Sequence, residues 1–243
     1  EALETLRMAG LDGDPVGYGT ECLRLRPSSS PAAALVALPE AVIQDPASHL
    51  VTCYANISPG MEVADLCAAP GGKALTIATG VRSTLAADCS ESRMRMVQEN
   101  AKRTGVEVNC VVADAHNPPI KSADAVLLDV PCTGTGTLAR HPDIRWRLSP
   151  DSVSKITRVQ DRLLDSAAPL VRVGGLLIYS TCTLEPEENH ELVQGFLLRN
   201  LDFELEPSDT VAGEFLDESG YLCVHPDKDG RDGSFAARLR RMH

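Results

Sequence analysis

From residue 61 onward, short apolar runs alternate with longer stretches whose apolar residues recur every three or four positions. The runs 61–65, 84–88, 107–112, 123–129 and 176–180 have the length and composition of buried strands. Between and after them, 72–79, 90–104, 150–170 and 186–199 carry helical spacing, with Ser90 as N-cap and Gly105 as stop of the second. A further short helix is predicted over 46–54, capped by Asp45 and with Pro46 in its first turn. Strands separated by helices of this length need crossover connections, and so form a mainly parallel sheet with helices on both faces. Short strands near Phe203, at 221–224 and at 235–239 are joined by turns instead, which predicts an antiparallel C-terminal edge. In residues 1–45, Gly13, Gly17, Gly19, Pro27, the serines at 28–30 and Pro31 break any period. Extended pieces at 22–26 and 41–44 are expected there, and a packed domain is not. The expected organisation is an N-terminal extension over 1–45 and one α/β domain over 46–243.

Composition changes this picture little. With 243 residues, 43% apolar and 23% charged, the chain can bury one large core. No apolar run approaches the roughly 20 residues of a membrane span, and neither a membrane nor a secretory leader is expected. The eight cysteines lie at least 14 residues apart, unlike the ligand pairs about two to four residues apart of structural zinc sites. Reduced thiols, a cytoplasmic location and no bound metal are expected. Charge is more informative: 34 acids against 23 bases give −11, which argues against a nucleic-acid partner unless the charges are segregated.

In a sheet of this kind, ligands sit beyond the C-terminal strand ends. The first strand runs into Asp65-Leu-Cys-Ala-Ala-Pro-Gly-Gly-Lys73, where small residues and two glycines let the backbone approach a ligand ahead of a helix N-terminus. Neither G-x-G-x-x-G nor the phosphate-loop pattern is present. The second strand ends at Asp88, which can accept hydrogen bonds from a ribose diol, and the third leads to Asp114, placed for an adenine edge. A nucleoside pocket without a phosphate clamp suits S-adenosylmethionine better than NAD. The fourth strand ends Asp129-Val-Pro-Cys132-Thr-Gly-Thr-Gly136 and the fifth Ser180-Thr-Cys182-Thr183, so adjacent strands bring two cysteines to one rim. A thiolate there is a competent nucleophile once its pKa is lowered. The arginines of 140–147 and nearby backbone N–H groups are the expected source of that bias.

These segments, with Gln44-Asp45-Pro-Ala-Ser48, residues 133–147, residues 180–189 and, more weakly, Asp232-Gly-Ser-Phe-Ala-Ala-Arg238, resemble the RNA cytosine-C5 methyltransferases of the Sun/NOL1/NOP2 family over most of 41–240. The similarity points to its bacterial branch acting on 16S ribosomal RNA. It implies a Rossmann-like S-adenosylmethionine-dependent methyltransferase fold. It also implies Cys182 as the nucleophile adding to cytosine C6, Cys132 as the residue assisting release of the methylated RNA, and Asp129 as the hydrogen-bonding partner of the cytosine. The cofactor would lie across Cys67, Ala68, Ala69, Pro70, Gly71, Gly72, Lys73, Asp88, Arg93, Asp114 and Asp129, with Lys73 touching its carboxylate or supporting the site. Ser234 departs from the family, standing where an aromatic residue is expected before Phe235. The family's helical N-terminal RNA-binding domain does not appear in this sequence, and 1–45 reads as its remnant.

Arg140, Arg145, Trp146 and Arg147 are the candidate RNA contacts, stacking a base and gripping phosphate. The competing reading makes their segment a lid over the cofactor, with Trp146 in a core seam. A non-catalytic ribosome-assembly factor, or an enzyme acting on tRNA or on DNA (with Cys132 as nucleophile), are the alternatives. A monomer is expected. Residues 185–232 hold 14 acids and three bases, and the rest of the chain 20 of each. The excess acidity is therefore local, and that stretch is expected to face away from RNA, leaving Arg140, Arg145, Arg147, Arg24 and Arg26 for phosphate.

Overall fold

A computed structural model describes residues 1–16, 22–26, 28–227 and 230–243. Gly17, Gly19, Pro27 and Lys228 lie outside the described residues. The N-terminal part is more organised than its broken pattern suggests. Helix α1 (Ala2–Met8), the antiparallel pair β1 (Gly13–Val16) and β2 (Cys22–Leu25), and helix α2 (Pro31–Ala37) pack around Leu6, Ala34 and Leu38. This small cluster was not expected in 1–45, and 41–44 is not a strand. Each element there spans at most seven residues, too few for periodicity to separate it from a loop.

Helix α3 (Pro46–Ala55) begins as predicted, with Asp45 Oδ1 accepting from the Ala47 amide at 2.8 Å. Then follow β3 (Glu62–Asp65), α4 (Gly72–Ala78), β4 (Ser83–Asp88), α5 (Glu91–Thr104), β5 (Asn109–Val112) and β6 (Ala123–Asp129). A short α6 (Ile144–Arg147) precedes α7 (Pro150–Ala167), β7 (Val171–Thr181), α8 (His190–Arg199), β8 (Phe203–Leu205), β9 (Leu222–Val224) and β10 (Ser234–Arg241). The sheet order is β5-β4-β3-β6-β7-β10-β8, with β9 beside β10. Strands β3 to β7 pair in parallel, and β8 to β10 form the antiparallel edge.

Two layers of helix fix this sheet. On one face Leu163 and Leu164 of α7 and Val193 and Phe196 of α8 share a core with Val126, Leu128, Leu177 and Tyr179. On the other, Met94 and Val97 of α5 pack with Ala68, Ala74 and Ala86. Burying side chains of this size contributes about 1.5–3 kcal/mol each. Strand order reverses between β3 and β6, the topological switch point at which open α/β sheets bind ligands. Their C-terminal ends carry Asp65 and Asp129.

Candidate active site

Strands β6 and β7 run side by side, with Asp129 opposite Ser180. Just beyond both, the chains turn toward each other, and the sulfurs of Cys132 and Cys182 come to 3.1 Å. The Cys182 amide donates to Cys132 Sγ at 3.3 Å. Gly136 allows this closeness: its N–H donates to the Cys182 carbonyl at 3.0 Å, and its own carbonyl accepts from Gly233. A Cβ on Gly136 would stand 2.8 Å from the carbonyl oxygens of both Cys182 and Gly233. Ser234 explains its departure from the family pattern, since its hydroxyl donates to the Thr181 carbonyl at 3.0 Å beside Cys182.

Lys73, in the first turn of α4, reaches across the switch point and donates to Asp129 Oδ2 at 2.7 Å; Ser180 Oγ donates to the other oxygen, also at 2.7 Å. Burial opposes the lysine's charge, but Asp129 outweighs it and holds the ammonium above its usual pKa. The Cys132 thiol, donating to Cys182, pushes the Cys182 pKa down; Lys73 helps, while burial and Asp129 oppose. The same hydrogen bond, together with burial, pushes Cys132 well up. The proton therefore leaves Cys182 first. Its bias comes first from Cys132, and Lys73 and, from the 140–147 segment, Arg140 add to it.

A cavity of about 420 Å³ opens beside this rim. Ala68, Ala69, Pro70, Gly72 and Lys73 line it, with Asp65 and Asp129 at its floor and Gln44, Asp45, Ser48 and Arg140 opposite. Asp65 is buried, and its Oδ2 has no hydrogen-bond partner among the described residues. Burial and the Asp129 charge raise its pKa to about 7, with Lys73 and the Cys67 amide opposing. Gly71 has φ of 108°, and a Cβ there would stand 3.3 Å from Val97, so this bend between β3 and α4 favours glycine.

The other residues singled out in the sequence are more dispersed. Asp88 is buried and accepts from the Ser90 amide at 2.9 Å and the Ala69 amide at 3.3 Å. Arg93 sits 3.6 Å from Asp88 and donates to the Ala69 carbonyl, bracing the 66–72 turn from outside. Cys67 is half-buried behind that turn, its thiol pKa raised by burial. Asp114 is exposed and accepts from the amide and ring of His116, both at 2.9 Å. Asp88, Arg93 and Asp114 form no part of the cavity wall.

Arg140 is not a spare cation: it is gripped by Asp232 and lies 3.3 Å from Asp45. Arg26 pairs with Asp14 at 3.1 Å, and Arg147 with Asp143 at 2.5 Å. Arg145 is exposed and unpaired among the described residues. Trp146 is 90% exposed, which removes the core-seam reading.

Sequence reasoning missed Glu188, which is fully buried beneath the two cysteines. It also expected the acidic stretch 185–232 to face away from RNA, yet Glu188 and Asp232 turn into the site. The remaining acids include Glu206, which binds Arg238 and Arg240, so part of that charge is neutralised within the fold. His190, Asp217 and Cys223 form a further cluster, in which His190 Nε2 and Asp217 Oδ2 are hydrogen-bonded at 2.7 Å.

The sequence profile of the family described as 16S rRNA methyltransferase RsmB/F matches residues 54–240. The chain belongs to that family. A ribosomal RNA small subunit methyltransferase B of Thermus thermophilus is 37% identical over 201 residues, covering 82% of this chain and 50% of that protein. The same enzyme of Citrobacter koseri is 34% identical over 245 residues, covering 98% and 56%. The crystal structure of PH0851 superposes with a TM-score of 0.88 at 31% identity, over 98% of this chain and 56% of that one. That of NSun6 from Pyrococcus horikoshii with SFG gives 0.78 at 30%, over 92% and 60%. The chain spans about half the length of the curated relatives it matches. Family and fold are those of S-adenosylmethionine-dependent methyltransferases. The residues fit that cofactor: a glycine-bent turn, a cavity along it, and a buried carboxylate oxygen lacking a donor are what a nucleoside-linked amino acid needs.

Proposed function

We propose that this chain is the catalytic part of an enzyme that methylates C5 of a cytosine in RNA, with small-subunit ribosomal RNA as substrate, through a covalent Cys–C6 adduct. The observation that carries the reading is the pair of sulfurs 3.1 Å apart beside the Lys73–Asp129 ion pair. Carbon C5 of cytosine is a poor nucleophile until C6 has been attacked. Cys182, whose pKa is the lowered one of the pair, supplies the attacking thiolate. Its sulfur bonds to C6 and the electrons of the C5–C6 double bond move into the ring. Asp129, held by Lys73 and Ser180, accepts from the cytosine amino group and fixes the ring as that charge develops. S-adenosylmethionine would lie along Cys67, Ala68, Ala69, Pro70, Gly71, Gly72 and Lys73 with Asp129, on a turn that Asp88 and Arg93 brace from outside the cavity wall and with Asp114 further out, and would supply an electrophilic methyl group.

Cys132 acts last. Its pKa is raised first of all by its hydrogen bond to Cys182. Once the Cys182 sulfur is bonded to carbon, that cause is gone; Cys132 gives up its proton to water, and its thiolate takes the C5 proton. The double bond re-forms as the Cys182 thiolate leaves, and the product is released. The target base must leave its stack to reach this rim. Trp146 and Arg145 on α6 present an exposed ring and a cation unpaired among the described residues for the flanking strand.

The test is methyl transfer from labelled S-adenosylmethionine to small-subunit ribosomal RNA, tRNA and DNA. Transfer to the ribosomal RNA, lost in Cys182→Ala while cofactor binding persists, is the expected result. Full activity in Cys182→Ala would overturn the mechanism, and transfer to tRNA or DNA alone would overturn the substrate.

A further inference from the structure

The most deeply buried charge near the site belongs to a residue that no step above uses. Glu188 lies in the 3-10 turn Pro186–Glu188 that follows β7, and its side chain is fully buried. Its carboxylate accepts from the Thr133 amide at 3.0 Å and from the Thr133 hydroxyl. It also accepts from Thr183 Oγ1 at 3.3 Å and from Gln160 Nε2 of α7 at 2.8 Å. Thr133 follows Cys132 and Thr183 follows Cys182 in the chain, so a single carboxylate holds the residue after each cysteine. The two threonine hydroxyls also meet directly at 2.8 Å. A carboxylate in this position is filled with donors on the loop side and presents its charge toward Cys132.

The surroundings of the two sulfurs are electrically lopsided. Glu188 of the 186–188 turn and the phenol of Tyr179 on β7 act on Cys132. Lys73 of α4, Asp129 of β6 and Asp232 of the loop before β10 act on Cys182, as does Arg140. The cations Lys73 and Arg140 thus lie on the Cys182 side together with the anions Asp129 and Asp232, while the charge facing Cys132 is the buried carboxylate of Glu188.

We propose that Glu188 is a positioning residue that locks the two cysteine loops together and keeps the shared proton on Cys132, so that Cys182 carries the thiolate. The proposal rests on Cys182 being the nucleophile, but its first test, thiol labelling, needs neither RNA nor methyl transfer. The full chain is labelled with sub-stoichiometric iodoacetamide across a pH series, and the initial labelling of Cys132 and Cys182 is read separately by peptide mass spectrometry. In the native chain Cys182 labels at the lower pH. Glu188→Gln keeps the shape and removes the charge; the Cys132 profile should move down by about one pH unit, which is about tenfold more Cys132 labelling below its midpoint. Glu188→Asp keeps the charge and should leave that midpoint near the native one, while lengthening the contacts to both threonines and lowering kcat at unchanged KM for the methyl donor.

An unmoved Cys132 profile in folded Glu188→Gln overturns the proposal. Should that variant not fold, Glu188→Asp decides, and native kcat there overturns it. Normal labelling shifts together with an active Cys182→Ala would sink the nucleophile assignment and leave the role of Glu188 standing.

Discussion

The segment from Cys132 to Arg147 is built on two opposite principles. At its start, Cys132, Thr133, Thr135 and Gly136 are tied to Cys182, Thr183, Leu184, Glu188 and Gly233 by hydrogen bonds of side chain and backbone. At its end, α6 is one turn of helix with no buried residue, and Trp146 stands 90% exposed. The difference follows the work each end has to do. Bond making between a sulfur and a ring carbon tolerates little misplacement, so its atoms are held before substrate arrives. Gripping a flexible strand gains from desolvating an aromatic face only when a base covers it, so that face is left in water beforehand.

Breaking the fixed end should therefore cost most. Cys182→Ala is expected to lower the methylation rate at least about 10⁴-fold, as loss of a nucleophile does elsewhere. Cys132→Ala should instead accumulate a covalent RNA adduct visible on a denaturing gel, because addition precedes the step it serves. Lys73→Met leaves Asp129, a third exposed and still bonded to Ser180, without its cation, and should destabilise the fold by about 1–3 kcal/mol, read from urea unfolding.

At the exposed end, Trp146→Ala should weaken RNA binding by about 1–3 kcal/mol while leaving the melting temperature unchanged. A fall in melting temperature of several degrees would show that the ring is structural and erase the contrast. The fixed end also carries a pH effect. Asp65 has its pKa raised to about 7 by burial and by Asp129. The folded chain then keeps a proton that the unfolded chain releases above the ordinary carboxylate pKa. Its contribution to stability thus declines as pH rises from about 4 through 7. Asp65→Asn should shrink the difference in melting temperature between pH 5 and pH 8, and an unchanged difference would contradict it.

Much of the fold was legible because its signals are local. Asp45, Ser90 and Gly105 mark helix ends by their own cap chemistry, and each proves to be a cap. Apolar 123–129 reads as a buried strand whatever surrounds it. The two cysteine motifs were legible as a pair because parallel neighbours end at the same rim. The N-terminal cluster was not legible, because Leu6 lies far back in the chain from Ala34 and Leu38, and α1 and α2 are too short to show a period. The arginines were misjudged for a related reason. Arg140 looks like a phosphate contact beside Arg145 and Arg147, but its partners are Asp45 and Asp232, 95 residues behind it and 92 ahead. Pairing at that separation leaves no trace in local composition.

By itself the sequence determined the parallel sheet, the strand ends that carry chemistry, the pairing of Cys132 with Cys182 and the family, since each follows from short-range pattern and a fixed topology. The tertiary structure alone decided what surrounds each cysteine and which acids lie beside the pair. Those depend on Lys73 lying across the switch point, on Glu188 folding back beneath both cysteines, and on Asp232 closing on Arg140. A charge acts over a few ångströms of low-dielectric space, and only the folded chain sets those distances.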